Sequence, residues 1–441
     1  MLRLGAPLAL AELGWMAMGV IDTIMAGPLG AGAVGAGILG NMMFYPIAGG
    51  AVGLLLGMDT LVAQSFGAED QRDCRHTLVN GTWLSVALTP LIVVLIWASV
   101  PAMRLAGANP HVLALCAPYL LALSWGVLPL LLFTAFRRYL QAVNVVRPVT
   151  FVLVSANLVN LVGNWVLMYG HWGFRARGLT GSGYSTTLSR LYMAAALLAA
   201  VGWHEMRTGN LLRHVRWRPD VGRIRRLVAL GVPAAGQMTF EGAVFGVVTV
   251  MAARLDEAQL AAHGIAIQVI ATTFMVPLGI SSAAAVRVGQ AVGRKDARGV
   301  AAAGWAALLI SALFMGTAGL ALWTIPRWIV RGFIDDPAVI ATGVVLLRIA
   351  AFFQLFDGLQ VTATGALRGL GDTQSPMAAH FVGYWVIGLP VAYVLGFPYR
   401  WGAPGIWVGL SAALILIGAA LMLVWRHRVR EECGVPVVSK G

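Results

Sequence analysis

An all-α integral membrane protein, with twelve transmembrane helices in two parallel six-helix bundles, is the fold class this sequence predicts. Three observations carry it. Apolar runs recur along almost the whole chain, 59% of its 441 residues are hydrophobic against 11% charged, and short elements repeat at one fixed offset between the two halves. A soluble domain with that balance would lack the polar surface needed to face water. Runs of ~20 apolar residues are long enough to cross the hydrocarbon. The 53 glycines scattered through them suit helices that pack closely in lipid, although they would weaken soluble helices.

The first helix is expected near 4–26. It is longer than the h-region of a secretory signal, contains Asp22 and is followed by further spans, so it reads as a retained helix. Five more follow near 37–66, 77–100, 112–140, 148–170 and 178–203. The longest polar stretch, Glu205 to Arg226, is rich in arginine and forms the natural linker between two halves. Beyond it, helices are expected near 224–254, 260–289, 298–325, 337–367, 376–397 and 402–425. The domain reading is therefore a bundle over 1–203, a cytoplasmic basic linker over 204–223, a second bundle over 224–428 and a cytoplasmic tail over 429–441. Prolines 7, 46, 129, 233, 277 and 390 fall inside spans, where they weaken backbone hydrogen bonding locally.

Charge sets the orientation. The formal net charge is +13, which on a soluble protein would raise nucleic-acid binding first. Here the basic residues sit mostly between apolar spans and alternate in side, as membrane orientation requires. With the N-terminus in the cytoplasm, 22 of the 31 lysines and arginines lie inside and 7 outside, with Arg190 and Arg348 within spans. The chain reads as N-in and C-in. The three cysteines, Cys74, Cys116 and Cys433, have neither disulfide pairing nor zinc spacing.

The repeat supports two like halves. Leu4-Gly5-Ala6-Pro7 matches Leu230-Gly231-Val232-Pro233 at an offset of 226, and the same offset carries Val62-Ala63-Gln64 onto Val288-Gly289-Gln290. Gly67 and Asp70 fall likewise on Gly293 and Asp296. Ala135-Phe136-Arg137 also resembles Ala366-Leu367-Arg368. Six spans per half bring both halves in from the same side, which predicts parallel repeats about an axis along the membrane normal, with binding near their interface.

A charge inside a bilayer costs ~2.5–3.5 kcal/mol on insertion scales, so each one requires a partner or a purpose. Three carboxylates stand out: Asp22 in the first helix, Glu241 in the seventh and Asp357 in the tenth. From helix rise, Glu241 lies about 22 Å above Arg226 and Asp357 about 16 Å from Arg368, both near the midplane. Sharing one cavity, they would make an oxygen-rich site for a monovalent cation. Without the cation, mutual repulsion and poor solvation would favour a proton on one of them. Gln237 and Phe353 each lie four residues before one of these acids, on the same helical face, where an aromatic ring near a cation contributes ~0.5–2 kcal/mol. The opposing reading is that both acids pair permanently with Arg348 or with backbone groups. In the other half, Asn157, Asn160 and Asn164 form a polar stripe at i, i+3, i+7. The last two stand at a depth compatible with Asp22, and interhelical bonding is the alternative role for them. Arg190 reads equally as a neutraliser of a buried acid or an interfacial group, and His263 and His380 read as polar anchors near span ends.

These residues resemble a known family. Val20-Ile21-Asp22-Thr23-Ile24-Met25-Ala26-Gly27 looks like the first-helix motif of multidrug and toxic compound extrusion (MATE) transporters, most closely their bacterial NorM branch. The resemblance continues through Val62-Ala63-Gln64, Asn160, Asn164-Trp165, Phe240-Glu241, Arg287-Val288-Gly289, Gln354 to Asp357, Leu367-Arg368-Gly369 with Asp372, Tyr384-Trp385 and Gly388-Leu389-Pro390. It implies two six-helix bundles around a central cavity. It also implies export of cationic or amphiphilic drugs and dyes, in exchange for sodium ions or protons, from the bacterial inner membrane. Glu241 and Asp357 fall at positions resembling the family's C-lobe cation site, with Phe353 beside them, and Asp22 at the N-lobe acid, with Asn160 and Asn164. Asn157, Gln237 and Gln354 are candidate cavity-lining residues. Phe353 departs from sodium-coupled relatives that carry tyrosine there, which leaves both ions open.

No cofactor is expected beyond Na+ or H+ as the coupling ion. The expected partners are small-molecule drugs and dyes and membrane lipid, without nucleic acid, and the default assembly is a monomer. A lipid-linked precursor flippase would want a strongly basic cavity, whereas the intramembrane charges are mainly acidic. A membrane-embedded enzyme would want a metal or nucleophile constellation, and no HExxH, P-loop or GxSxG element is present in these short loops.

Overall fold

The computed structural model describes residues 1–105, 107, 109–208 and 217–432, and every regular element among them is helical. Arg213 and Arg216 of the expected linker, and the expected tail beyond Glu432 with Cys433, lie outside the described residues.

Twelve spans follow in order. They are α1 Leu2–Ala26, α2 Ala31–Gly67, α3 Gln71–Leu105, α4 Pro110–Ser124 with Val127–Ala142, α5 Arg147–Tyr169 and α6 Gly178–Arg207. Then come α7 Val221–Ala252, α8 Glu257–Gly293, α9 Ala297–Thr324, α10 Pro337–Leu370, α11 Gln374–Gly396 and α12 Ala403–Glu432. Ten of them are long and apolar enough by themselves to cross a membrane, and α4 passes as a pair of segments bent by 46°. The twelfth, α6, is long enough at 30 residues but carries Ser182, Ser185, Thr186, Ser189 and Arg190. The molecule is an all-α, multi-pass membrane protein.

Local chemistry sets the helix ends. Asp256, Asp296 and Asp336 cap α8, α9 and α10, each carboxylate accepting from a backbone N–H in the first turn at 2.8 Å. Gly170 and Gly371 end α5 and α10 in the left-handed region, which a Cβ would disfavour. The plain helix expected over 376–397 is instead interrupted by a π-helical stretch, Phe381–Gly388. Pro390 just beyond it donates no hydrogen bond and crowds the carbonyl four residues back, so the ladder widens there.

By contact the described chain forms two compact units, Leu10–Ala235, and Met1–Ala9 with Gly236 onward. Small residues let the helices of each unit approach closely. In the first, a Cβ on Gly181 of α6 would stand 2.3 Å from the Leu167 carbonyl of α5. In the second, one on Gly365 of α10 would stand 2.2 Å from the Ser281 carbonyl of α8. These two close pairs bring α6 against α5 and α10 against α8, beside the acids described next.

Candidate functional site

In the unit Leu10–Ala235, the Asp22 carboxylate on α1 is met by donors from α5 and α6. Oδ1 accepts from Asn164 at 2.7 Å, Asn160 at 3.1 Å and Ser182 at 3.3 Å, and Oδ2 accepts from Thr186 at 3.1 Å. Both asparagines are fully buried, and Asn164 also donates to Asn160 Oδ1 at 3.3 Å. The Ser185 hydroxyl, one residue from Thr186, fixes the Asn160 carbonyl at 2.8 Å. Two of the three striped asparagines therefore converge on the acid. Asn157 does not: its amide joins Gly14 and Leu153 carbonyls at 2.9 Å, holding α1 to α5. Ser182 and Thr186 were not anticipated, although their i, i+4 spacing marks one polar face of α6.

In the other unit, Glu241 on α7 and Asp357 on α10 share a single amide. Gln360 Nε2 donates to Glu241 Oε1 and to Asp357 Oδ1, 3.3 Å each. Gln237, one turn before Glu241, donates to its Oε2 at 2.8 Å. His380 on α11 completes the group, with Nε2 at 3.4 Å from Gln237 Nε2 and 3.8 Å from Glu241 Oε2. The Trp385 indole ties α11 to α7 by donating to the Phe240 carbonyl at 3.2 Å. The Tyr384 hydroxyl is buried without a hydrogen-bond partner among the described residues. Gln360 escaped the sequence reading, and His380, expected as a polar anchor near a span end, instead joins the acids. The first had a signal, since it stands one turn after Asp357; the second lies on a helix whose register only packing fixes.

The remaining candidates separate. Phe353 is buried, its ring 6.2 Å from that of Trp407. Gln354 turns to Thr273 Oγ1 at 2.5 Å rather than to either acid. His263 is a satisfied core histidine, accepting from the Trp407 indole at 3.0 Å and lying 3.2 Å from the Thr249 hydroxyl. Arg348 stands over the Trp323 ring and Arg190 over that of Phe44, so neither forms a salt bridge to a candidate acid.

Three other acids of the spans are paired with arginine. Glu12 joins Arg137, Asp59 lies 3.4 Å from Arg138, and Glu205 lies 2.5 Å from Arg75 while accepting from Tyr139. Among the described residues, Asp22, Glu241 and Asp357 have no arginine or lysine partner; neutral donors hold them in place. Such an acid lacks a permanent counter-charge and can exchange one. No cluster of three or more His, Cys, Asp and Glu arranged for a metal ion is present among the described residues.

Comparison with known proteins identifies a family and a fold. The MatE family model matches residues 7–166 and again 233–394, the two matches starting at the offset of the internal repeat. A probable multidrug resistance protein NorM of Mesorhizobium japonicum is 37% identical, over 97% of this chain and 93% of its own length. Another from Brucella suis is 33% identical, over 98% and 94%. Among solved structures, a MATE in the straight conformation superposes with a TM-score of 0.88 at 18% identity, covering 98% of this chain and 96% of that one. The eukaryotic MATE transporter AtDTX14 gives 0.85 at 16%, covering 98% and 97%. At those identities the likeness concerns the fold.

Proposed function

The chain belongs to the MatE family, and from that premise we propose that it is a multidrug efflux antiporter, exporting cationic or amphiphilic small molecules in exchange for sodium ions or protons by alternating access. As a member of that family it is a membrane transporter and not an enzyme. The observation that carries the proposal is the Glu241–Gln360–Asp357 bridge, two carboxylates within the spans joined by one amide and, among the described residues, unpaired with any arginine or lysine.

The argument runs from solvation. A carboxylate in lipid-buried surroundings needs compensating positive charge. Glu12, Asp59 and Glu205 carry theirs permanently on arginine. Glu241 and Asp357 must obtain theirs from a mobile species: a metal cation, a proton or a cationic passenger. Arrival of one such species weakens the hold on another, which is the coupling an antiporter needs. Asp22, gathered by four neutral donors in the other unit, is a second site of the same kind, for a proton or substrate. The printed names of the relatives, multidrug resistance proteins, support drugs as the passengers. We place both termini in the cytoplasm and the protein, as a monomer, in a bacterial inner membrane.

The test is ethidium efflux from vesicles holding the purified protein, under an imposed sodium gradient and separately a proton gradient. Efflux under at least one gradient is expected; indifference to both would sink the proposal.

A further inference from the structure

The orientation of one histidine reaches the choice of coupling ion. His380 Nδ1 stands 2.7 Å from the Pro376 carbonyl. A carbonyl only accepts, so Nδ1 carries the ring proton and Nε2 of the neutral ring keeps a lone pair. Facing that lone pair at 3.4 Å is the Gln237 amide nitrogen, which also reaches Glu241 Oε2 at 2.8 Å. Both contacts demand a donor. An amide has two N–H bonds on its nitrogen and none on its oxygen, so one orientation of Gln237 satisfies both, with the oxygen turned away from Glu241. Around the ring, the other titratable groups are Glu241 on α7, Tyr384 with its ring 5.8 Å away on the same helix, and Asp357 on α10, reached through Gln360.

The consequence concerns ligands. Sodium is a hard cation bound by oxygen atoms, and an N–H directed at it repels it. The side chains that hydrogen-bond this acid pair do so through amide nitrogens, Gln237 to Glu241 and Gln360 to both acids. Phe353, on the helical face of Asp357, has no oxygen to offer. Resting on the exchange reading above, we propose that His380 is a specificity-determining residue: by fixing the Gln237 amide it denies sodium an oxygen ligand at the Glu241–Asp357 pair and selects against sodium as the coupling ion.

The experiment measures equilibrium binding of radioactive sodium to the purified full-length protein in detergent, at constant pH, with choline balancing ionic strength. The wild type is expected to show no saturable sodium binding. His380→Phe keeps a ring but removes the lone pair, freeing Gln237 to turn its oxygen inward. It should bind sodium at least tenfold more tightly than the wild type, about 1.4 kcal/mol, and His380→Phe with Glu241→Gln should lose that gain. His380→Gln, which restores an acceptor, should behave as wild type. Saturable, Glu241-dependent sodium binding by the wild type would overturn the proposal, as would His380→Phe indistinguishable from the wild type. Should His380→Phe fail to assemble, His380→Leu, which likewise lacks the acceptor, carries the same expectation. Failure of the exchange reading has a different signature: ethidium that leaves vesicles under neither gradient, whatever the sodium binding.

Discussion

Asn164 donates its amide to the Asp22 carboxylate at 2.7 Å, the shortest of the bonds that gather α5 and α6 around the α1 acid. A carboxylate offers two acceptor oxygens and an amide only one. Asp22→Asn should therefore strand the Thr186 donor, which meets Oδ2, as well as remove the charge. Ethidium efflux should fall by about tenfold or more, the scale of 1.4 kcal/mol, with membrane insertion unchanged. Asn164→Ala removes one interhelical bond, worth ~0.6–1.7 kcal/mol in membrane proteins, and should leave partial efflux. Equal loss in both variants would contradict a special role for the acid.

Glu241→Gln and Asp357→Asn each keep a hydrogen-bonding side chain beside Gln360 but remove the exchangeable charge. Each should abolish gradient-driven efflux and drug resistance while the protein still reaches the membrane. Resistance at the wild-type level in both would show that the acids have been assigned wrongly.

The Arg75–Glu205 pair is almost fully buried, at 2.5 Å, with Tyr139 donating to the same carboxylate. Removing one partner strands the other charge. Glu205→Ala should destabilise the protein by ~3–5 kcal/mol, whereas Arg75→Met with Glu205→Leu should cost much less. Thermal melting followed by fluorescence-detected size exclusion separates the two cases.

Gly409 of α12 faces α11 so closely that a Cβ would stand 2.3 Å from the Ala392 backbone nitrogen. Gly409→Val should overpack that interface and cost ~1–3 kcal/mol or more. Gly242, whose Cβ would meet nothing within 4 Å, should accept alanine without loss of melting temperature.

Asp256, exposed at the start of α8, shows a pH effect with a definite sign. Hydrogen bonds from the Gln259 backbone, then from the Gln259 side chain, hold its carboxyl below the usual 3.8. A folded value below the unfolded one means the cap contributes fully above pH ~4 and is lost as pH falls through the folded value. Relative to the unfolded chain's rate at the same pH, amide exchange in the first turn of α8 should therefore be slowed at neutral pH and less so in acid. In Asp256→Ala it should be fast at both.

Much of this protein was legible before any coordinate. Apolar length fixed the spans, because hydrocarbon thickness demands it. The cost of a charge in lipid singled out Asp22, Glu241 and Asp357, and one-turn spacing brought Gln237 to Glu241 and Asn160 to Asn164. The polar α6 and the bent α4 were still found, since length and flanking charges remained readable.

Which acids pair and which stay open was decided by tertiary structure alone. Periodicity reports which residues share a face of one helix, but not which face of a distant helix meets it. Hence Arg137 reached Glu12 and Arg75 reached Glu205, Gln354 turned away to Thr273, and Gln360 and His380 joined the acids. The sequence alone determined that charges are buried in lipid; only packing across helices decided which of them keep a permanent partner and which are left to exchange one.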